Sequence, residues 1–157
     1  MPKTSRPLDA IDRNIIRTVQ VDPEISVAAL GDAVGLSQTP CWRRLKRLEK
    51  NGIILRRAVI FDPRKIGLPI TVLAHIKLQG HDEEKLESLE RAVLDQPMIL
   101  ECFSMSGESD YVMRIAAKDI DDYERFLKKV LLHLPGVVSV NSSFALKTIK
   151  STTDLPV

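Results

Sequence analysis

The apolar residues of this chain keep helical spacing up to about residue 50 and change to alternation after Pro69, so one polypeptide must build two kinds of structure. In the first stretch Leu8, Ile11, Ile15 and Val19 recur at steps of three and four, the stripe of an amphipathic helix. In the second, Val72, Ala74, Ile76 and Leu78 alternate with Thr71, Leu73, His75 and Lys77, the pattern of a strand buried on one side. With 157 residues, 44% hydrophobic and 28% charged, the chain can bury a core as one domain or two small ones and carries no compositional mark of disorder.

The front of the chain predicts three short helices. Asp9, with Asp12 three residues on, is close to a capping box for the first, and Pro23 ends it. Ser26 is a cap for the second, whose stripe is Val27, Leu30 and Val34, and Gly35 supplies the positive φ of a helix end. Gly35-Leu36-Ser37 is then a tight turn, Ser37 caps the third helix, Pro40 is tolerated in its first turn, and Asn51-Gly52 stops it. At about 100° per residue, Cys41, Leu45 and Leu48 share one face while Thr39, Arg43, Lys46 and Lys50 share the opposite one, with Arg47 beside them. Trp42 stands at the side of the stripe, where it can pack between helices or rest on sugar-phosphate, and packing is the favoured expectation; Cys41 is expected to be a small buried hydrophobe.

Two short helices joined by a glycine-containing turn, the second exposing Arg, Lys, Thr and Gln, have the form of a helix-turn-helix whose recognition helix enters the major groove. Charge supports this. Residues 1–67 hold 13 Lys/Arg against 7 Asp/Glu, net +6, whereas residues 68–157 are net −4, so only the front suits a polyanion. The candidate contacts to double-stranded DNA are Gln38, Thr39, Arg43, Arg44, Lys46, Arg47 and Lys50. Lysine and arginine neutralise phosphates, and Gln38, Thr39 and Arg43, near the helix start, are placed for base edges.

Ile53 to Ile60, rich in β-branched and aliphatic residues, predicts a strand leaving this unit; Asp62-Pro63 and Gly67-Leu68-Pro69 mark breaks. Beyond them the pattern is β-α-β-β-α-β: the alternating strand at 71–78, a helix through Leu86, Leu89 and Val93, a strand over Met98 to Ser106, the turn Gly107-Glu108-Ser109, and a strand over Asp110 to Ala117. A helix capped by Asp119 follows, carrying Tyr123, Phe126, Leu127, Val130 and Leu134, and the last strand runs from Val137 to Ile149. The fold class is α+β: a winged-helix-like helix-turn-helix domain over 1–60, a hinge over 61–69, and a ferredoxin-like domain over 70–157. Two helices cover one face of such a sheet, and the other face invites a second copy of the chain.

Other classes find little support. His75, His81 and His133 are isolated, without metal-ligand spacing or a Ser/His/Asp or Cys/His arrangement, and no glycine loop cradles phosphate, so neither an enzyme, a metal nor a cofactor is expected. Cys41 and Cys102 are too few for a disulfide framework. Residues 1–10 lack the apolar run of a secretory signal, and no apolar stretch approaches the ~20 residues of a membrane helix; the expected location is the cytoplasm. An architectural DNA binder that ignores small molecules is the second live possibility.

The run from Leu36 to Ile54, with Leu8-Asp-Ala-Ile-Asp12 and Gly107-Glu-Ser-Asp-Tyr111, resembles the Lrp/AsnC family of feast/famine transcription regulators over nearly the whole chain. Thr39-Pro-Cys-Trp42 and the ending from Ser142 to Val157 look closest to the branch that regulates cysteine detoxification in enterobacteria. The resemblance implies a homodimer built by packing two sheets, assembled further into tetramers or octamers, and a small amino-acid effector, cysteine among the candidates. It places that effector at the Gly107 turn, with Asp110 toward its ammonium group and Ser104, Met105, Glu108, Ser109, Tyr111, Ser142 and Ser143 as lining. An ordinary hairpin turn also favours Gly and Asp on backbone grounds.

Overall fold

A computed structural model describes residues 7–80 and 82–157; His81 lies outside the described residues. The elements are α1 (Ala10–Val21), α2 (Val27–Val34), α3 (Gln38–Lys50), β1 (Ile70–Leu78), α4 (Glu83–Leu94), β2 (Ile99–Ser104), β3 (Tyr111–Ala117), α5 (Ile120–Lys129), a 3-10 turn (Leu131–His133) and β4 (Val137–Phe144). Contacts divide the chain into two units, one holding residues up to Val59 together with Lys150–Val157, the other Ile60–Ile149. The last eight residues, expected to belong with the second domain, therefore group with the first. Gln20 holds them: its side-chain amide accepts from the Leu155 N–H at 2.9 Å and donates to the Leu155 carbonyl at 3.2 Å.

In the first unit the local signals act as expected at three of four caps. Asp9 accepts from the Asp12 N–H at 2.9 Å while the Asp12 carboxylate accepts from the Asp9 N–H at 3.3 Å, a complete capping box. Ser26 accepts from the Ala29 N–H, and Gly35 ends α2 at φ 71°. Ser37 occupies the N-cap position of α3, but its side chain makes no capping hydrogen bond. Ile15, Val19, Leu30, Cys41, Leu45 and Leu48 form the core between the three helices.

Ile53 to Ile60 is not a strand. Its first two N–H groups donate to the Leu48 carbonyl and Arg57 pairs with Glu49 at 3.7 Å, but the rest is exposed chain without a ladder partner among the described residues. Strand propensity acts only where a neighbour exchanges hydrogen bonds, and none does here.

The second unit is a four-stranded antiparallel sheet in the order β2-β3-β1-β4, the ferredoxin-like arrangement. Val72, Ala74 and Ile76 of β1 and Met113, Ile115 and Ala117 of β3 face α4 and α5, where Leu89, Val93, Tyr123 and Phe126 close the core. β4 ends at Phe144, five residues before the expected Ile149, and α5 ends at Lys129, where Val130 (φ −122°, ψ −66°) breaks the helix before the 3-10 turn. Across the open face the register sets Phe103, Val112, His75 and Asn141 in one row and Glu101, Arg114, Leu73 and Ser143 in the next. This face is mixed rather than apolar: Leu73 and Phe103 share it with a bidentate Arg114–Glu101 pair at 2.8 and 2.9 Å.

Candidate DNA interface and effector recess

α3 divides its cations by what they touch. Gln38, Thr39, Arg43, Lys46 and Lys50 are exposed. Arg43 and Lys50 enter no hydrogen bond or ion pair among the described residues, and Lys46 pairs along the helix with Glu49 at 2.7 Å. The side chains of Arg44 and Arg47 turn instead toward α1. Arg44 donates to Asp9 at 2.6 Å and to Asp12 at 2.8 Å; Arg47 donates to both Asp12 oxygens at 2.7 and 2.6 Å. Asp12 is 1% exposed, so the two guanidinium groups compensate a buried carboxylate and pin α3 to the start of α1. The hydrogen bonds it donates to Asp9 and then to Asp12 hold the Arg44 guanidinium above its ordinary range.

Cys41 is fully buried within the apolar core of the three helices, and burial raises its thiol pKa. Trp42 is not packed between helices as expected: it is 49% exposed and, with Val27, Gln38 and Thr39, lines a shallow notch between the first turns of α2 and α3. The helical wheel carried the signal, since Trp42 sits about 100° from Cys41, on the flank rather than in the stripe.

In the second unit the nine expected effector residues fall on two sides of the sheet. Glu108, Ser109 and Ser143 line a recess of about 330 Å³ on the open face, together with His75, Lys77, Ser139 and Asn141, which sequence reasoning had not singled out. Ser109 Oγ lies 3.5 Å from His75 Nδ1. The alternation of β1 and β4 contained the missing signal, since residues with odd numbers between 71 and 77 and between 139 and 143 share one face. Tyr111 and Ser142 point instead toward the helices. Tyr111 is buried and its hydroxyl donates to Glu90 at 3.0 Å, while Ser142 Oγ hydrogen-bonds the Tyr123 hydroxyl. Ser104 and Met105 are exposed at the end of β2, and Gly107 turns the loop at φ 148°. Asp110 closes the loop: its carboxylate accepts from the Leu78 N–H at 2.7 Å, its own N–H donates to Ile76 and its carbonyl accepts from Met105. Among the described residues no three His, Cys, Asp or Glu side chains are grouped to hold a metal, and no helix is long and apolar enough to cross a membrane.

A helix-turn-helix with a cationic recognition helix, joined to a ferredoxin-like domain with a polar recess, defines a DNA-binding regulator with a ligand domain. Family models agree: a winged helix-turn-helix DNA-binding model matches 8–54 and the Lrp/AsnC ligand binding domain matches 71–155. The chain belongs to the Lrp/AsnC family of transcription regulators. It is 43% identical over 150 residues to the DNA-binding transcriptional activator DecR of Escherichia coli K12, covering 96% of this chain and 99% of that protein. A Neisseria meningitidis transcriptional regulator solved in complex with L-Met matches with TM-score 0.89 and 33% identity, over 96% of this chain and 97% of that one. An AsnC family regulator from Agrobacterium tumefaciens matches with TM-score 0.89 and 39% identity, over 95% and 97%.

Proposed function

We propose that this chain works in the cytoplasm as a homo-oligomer whose grip on double-stranded DNA, or whose assembly, changes when a small amino acid fills the recess beside the β2–β3 loop. The observation that carries the effector half is that Lys77 and Glu108 line one recess with three polar side chains of β4, so a zwitterion meets a cation, an anion and neutral hydrogen-bonding groups together. The L-Met complex of the Neisseria relative supports the same class of ligand. Cysteine is the first amino acid to test, because the Thr39-Pro40-Cys41-Trp42 run resembles the cysteine-detoxification branch. On the DNA side Gln38, Thr39, Arg43, Lys46 and Lys50 make the contacts, while Arg44 and Arg47 position the helix that carries them.

Calorimetry with a panel of free amino acids, cysteine and methionine included, followed by light scattering and gel-shift titration, tests the reading. Saturable heat from one of them, with a change in particle size or DNA affinity, is the expected result. No response to any would favour the architectural DNA binder. Lys77→Ala should weaken the heat at least tenfold by removing the charge-assisted hydrogen bond to the ligand carboxylate.

A further inference from the structure

Trp42 is the only tryptophan of the chain, and half of its surface is exposed on a helix whose other exposed residues are polar or charged. Burying an indole removes a large apolar area from water, and this ring stands only one residue from the fully buried Cys41 without being drawn into the core. Val27, at the first position of α2, and Gln38 and Thr39, in the first turn of α3, complete the notch around it, an open hollow of about 220 Å³. The wheel places Trp42 between the buried stripe and the face of Thr39, Arg43 and Lys46, so the notch opens at the edge of the surface that meets DNA.

Phosphates satisfy the cations of α3, and a sugar offers an exposed aromatic ring only apolar contact that reads no sequence. In the major groove the apolar group on a base edge is the 5-methyl of thymine. We propose that the Trp42 notch receives that methyl group, which makes Trp42 a specificity-determining residue next to the polar contacts of Gln38 and Thr39. This inference rests on the DNA-reading role given to α3 above. The ring supplies apolar contact and excludes water, Val27 forms the far wall, and the Thr39 and Gln38 polar groups remain directed at the neighbouring base.

The test uses the full chain and a pool of duplexes with a randomised core, from which the bound fraction is selected and sequenced. Each thymine of the enriched sequence is then replaced singly by deoxyuridine, which removes one methyl group. At one position the change should weaken wild-type binding roughly fourfold, the value of one buried methyl. Trp42→Ala should bind the parent duplex more weakly and show no further loss at that position, while Trp42→Phe keeps part of it. Tryptophan emission should shift when the enriched duplex binds. No loss at any thymine in the wild type, or the same loss in Trp42→Ala, would overturn the proposal. The wild-type deoxyuridine series needs no variant, so a Trp42→Ala chain that fails to fold by circular dichroism does not remove the test. An enriched sequence insensitive to every methyl defeats the Trp42 role alone; no enriched sequence at all defeats the base-reading role of α3 with it.

Discussion

Removing Asp12 and removing the two arginines that hold it should have unequal effects. Without Asp12, Arg44 and Arg47 keep partly exposed side chains and can turn toward water, so Asp12→Ala should cost about 1–3 kcal/mol. With both arginines gone, a carboxylate that is 1% exposed is left uncompensated, and Arg44→Ala/Arg47→Ala should cost about 3–5 kcal/mol. Thermal melts decide it: a double variant melting at or above Asp12→Ala would contradict the buried-charge account. Arg43→Ala should leave the melt unchanged and weaken binding to a selected duplex about tenfold or more in a gel-shift titration. The cationic face of α3 was legible in the sequence because it is a matter of period. The diversion of Arg44 and Arg47 was not, because their acceptors lie 32 to 35 residues upstream and nothing in local spacing joins them. Tyr111 gives the pH-dependent counterpart. Burial, and then the hydrogen bond to Glu90, push its phenol up to about 12. Its folded pKa lies above the unfolded value of about 10, so its contribution to stability is complete below pH ~10 and is lost as pH rises through about 12. With Tyr123→Phe removing the chain's other tyrosine, tyrosinate absorbance followed with circular dichroism should show Tyr111 ionising near pH 12 rather than pH 10; its ionisation near pH 10 in an intact protein would refute the coupling.

At the scale of elements, α2 and α3 are held close by Gly31, which the sequence did not mark out beside the more obvious Gly35. A Cβ at Gly31 would stand 2.7 Å from the Leu36 carbonyl oxygen. That backbone cannot easily retreat, because the Leu36 N–H donates to the Gly31 carbonyl at 2.8 Å. Alanine would gain about 1 kcal/mol in helix propensity, but an overpacking penalty of about 1–3 kcal/mol should outweigh it. Gly31→Ala should therefore lower the melting temperature and DNA affinity together, whereas a stabilised variant would show that the turn can relax. Other elements divide by the same logic of local against distant causes. The capping box at Asp9 and the end at Gly35 were legible because each is completed within a few residues. The strand expected at Ile53 to Ile60, and the last residues of β4, needed a partner that sequence spacing does not supply. The faces of β1 and β4 were legible from alternation, but the joining of Lys77 and His75 to Glu108 and Ser143 depends on register and on the β2–β3 loop.

For the whole molecule, the open face of the sheet is the surface on which assembly should turn. Its apolar content is concentrated where Phe103 (53% exposed) and Val112 adjoin Leu73 (38% exposed), while the recess lies toward β4. The Arg114–Glu101 pair sits in the same row as Leu73, already joined by two hydrogen bonds, so its charges are matched before another surface covers them. The part of the face around Leu73 and Phe103 can be buried against a second copy without leaving the Arg114–Glu101 charges unpaired, and a two-fold pairing repeats each contact. Specific interfaces bury about 1,200–2,000 Å² in total, so a few large side chains at the centre decide whether one forms. Leu73→Asp with Phe103→Asp should therefore convert the protein to a folded monomer in light scattering. Because two-fold helix-turn-helix readers engage paired half-sites, the same variant should also lose about a hundredfold or more in affinity for a two-site duplex while keeping its affinity for a single half-site. An oligomer that persists with two carboxylates placed at its centre would move the interface elsewhere on the chain, with the exposed segment around Leu55, Val59 and Phe61 next in line.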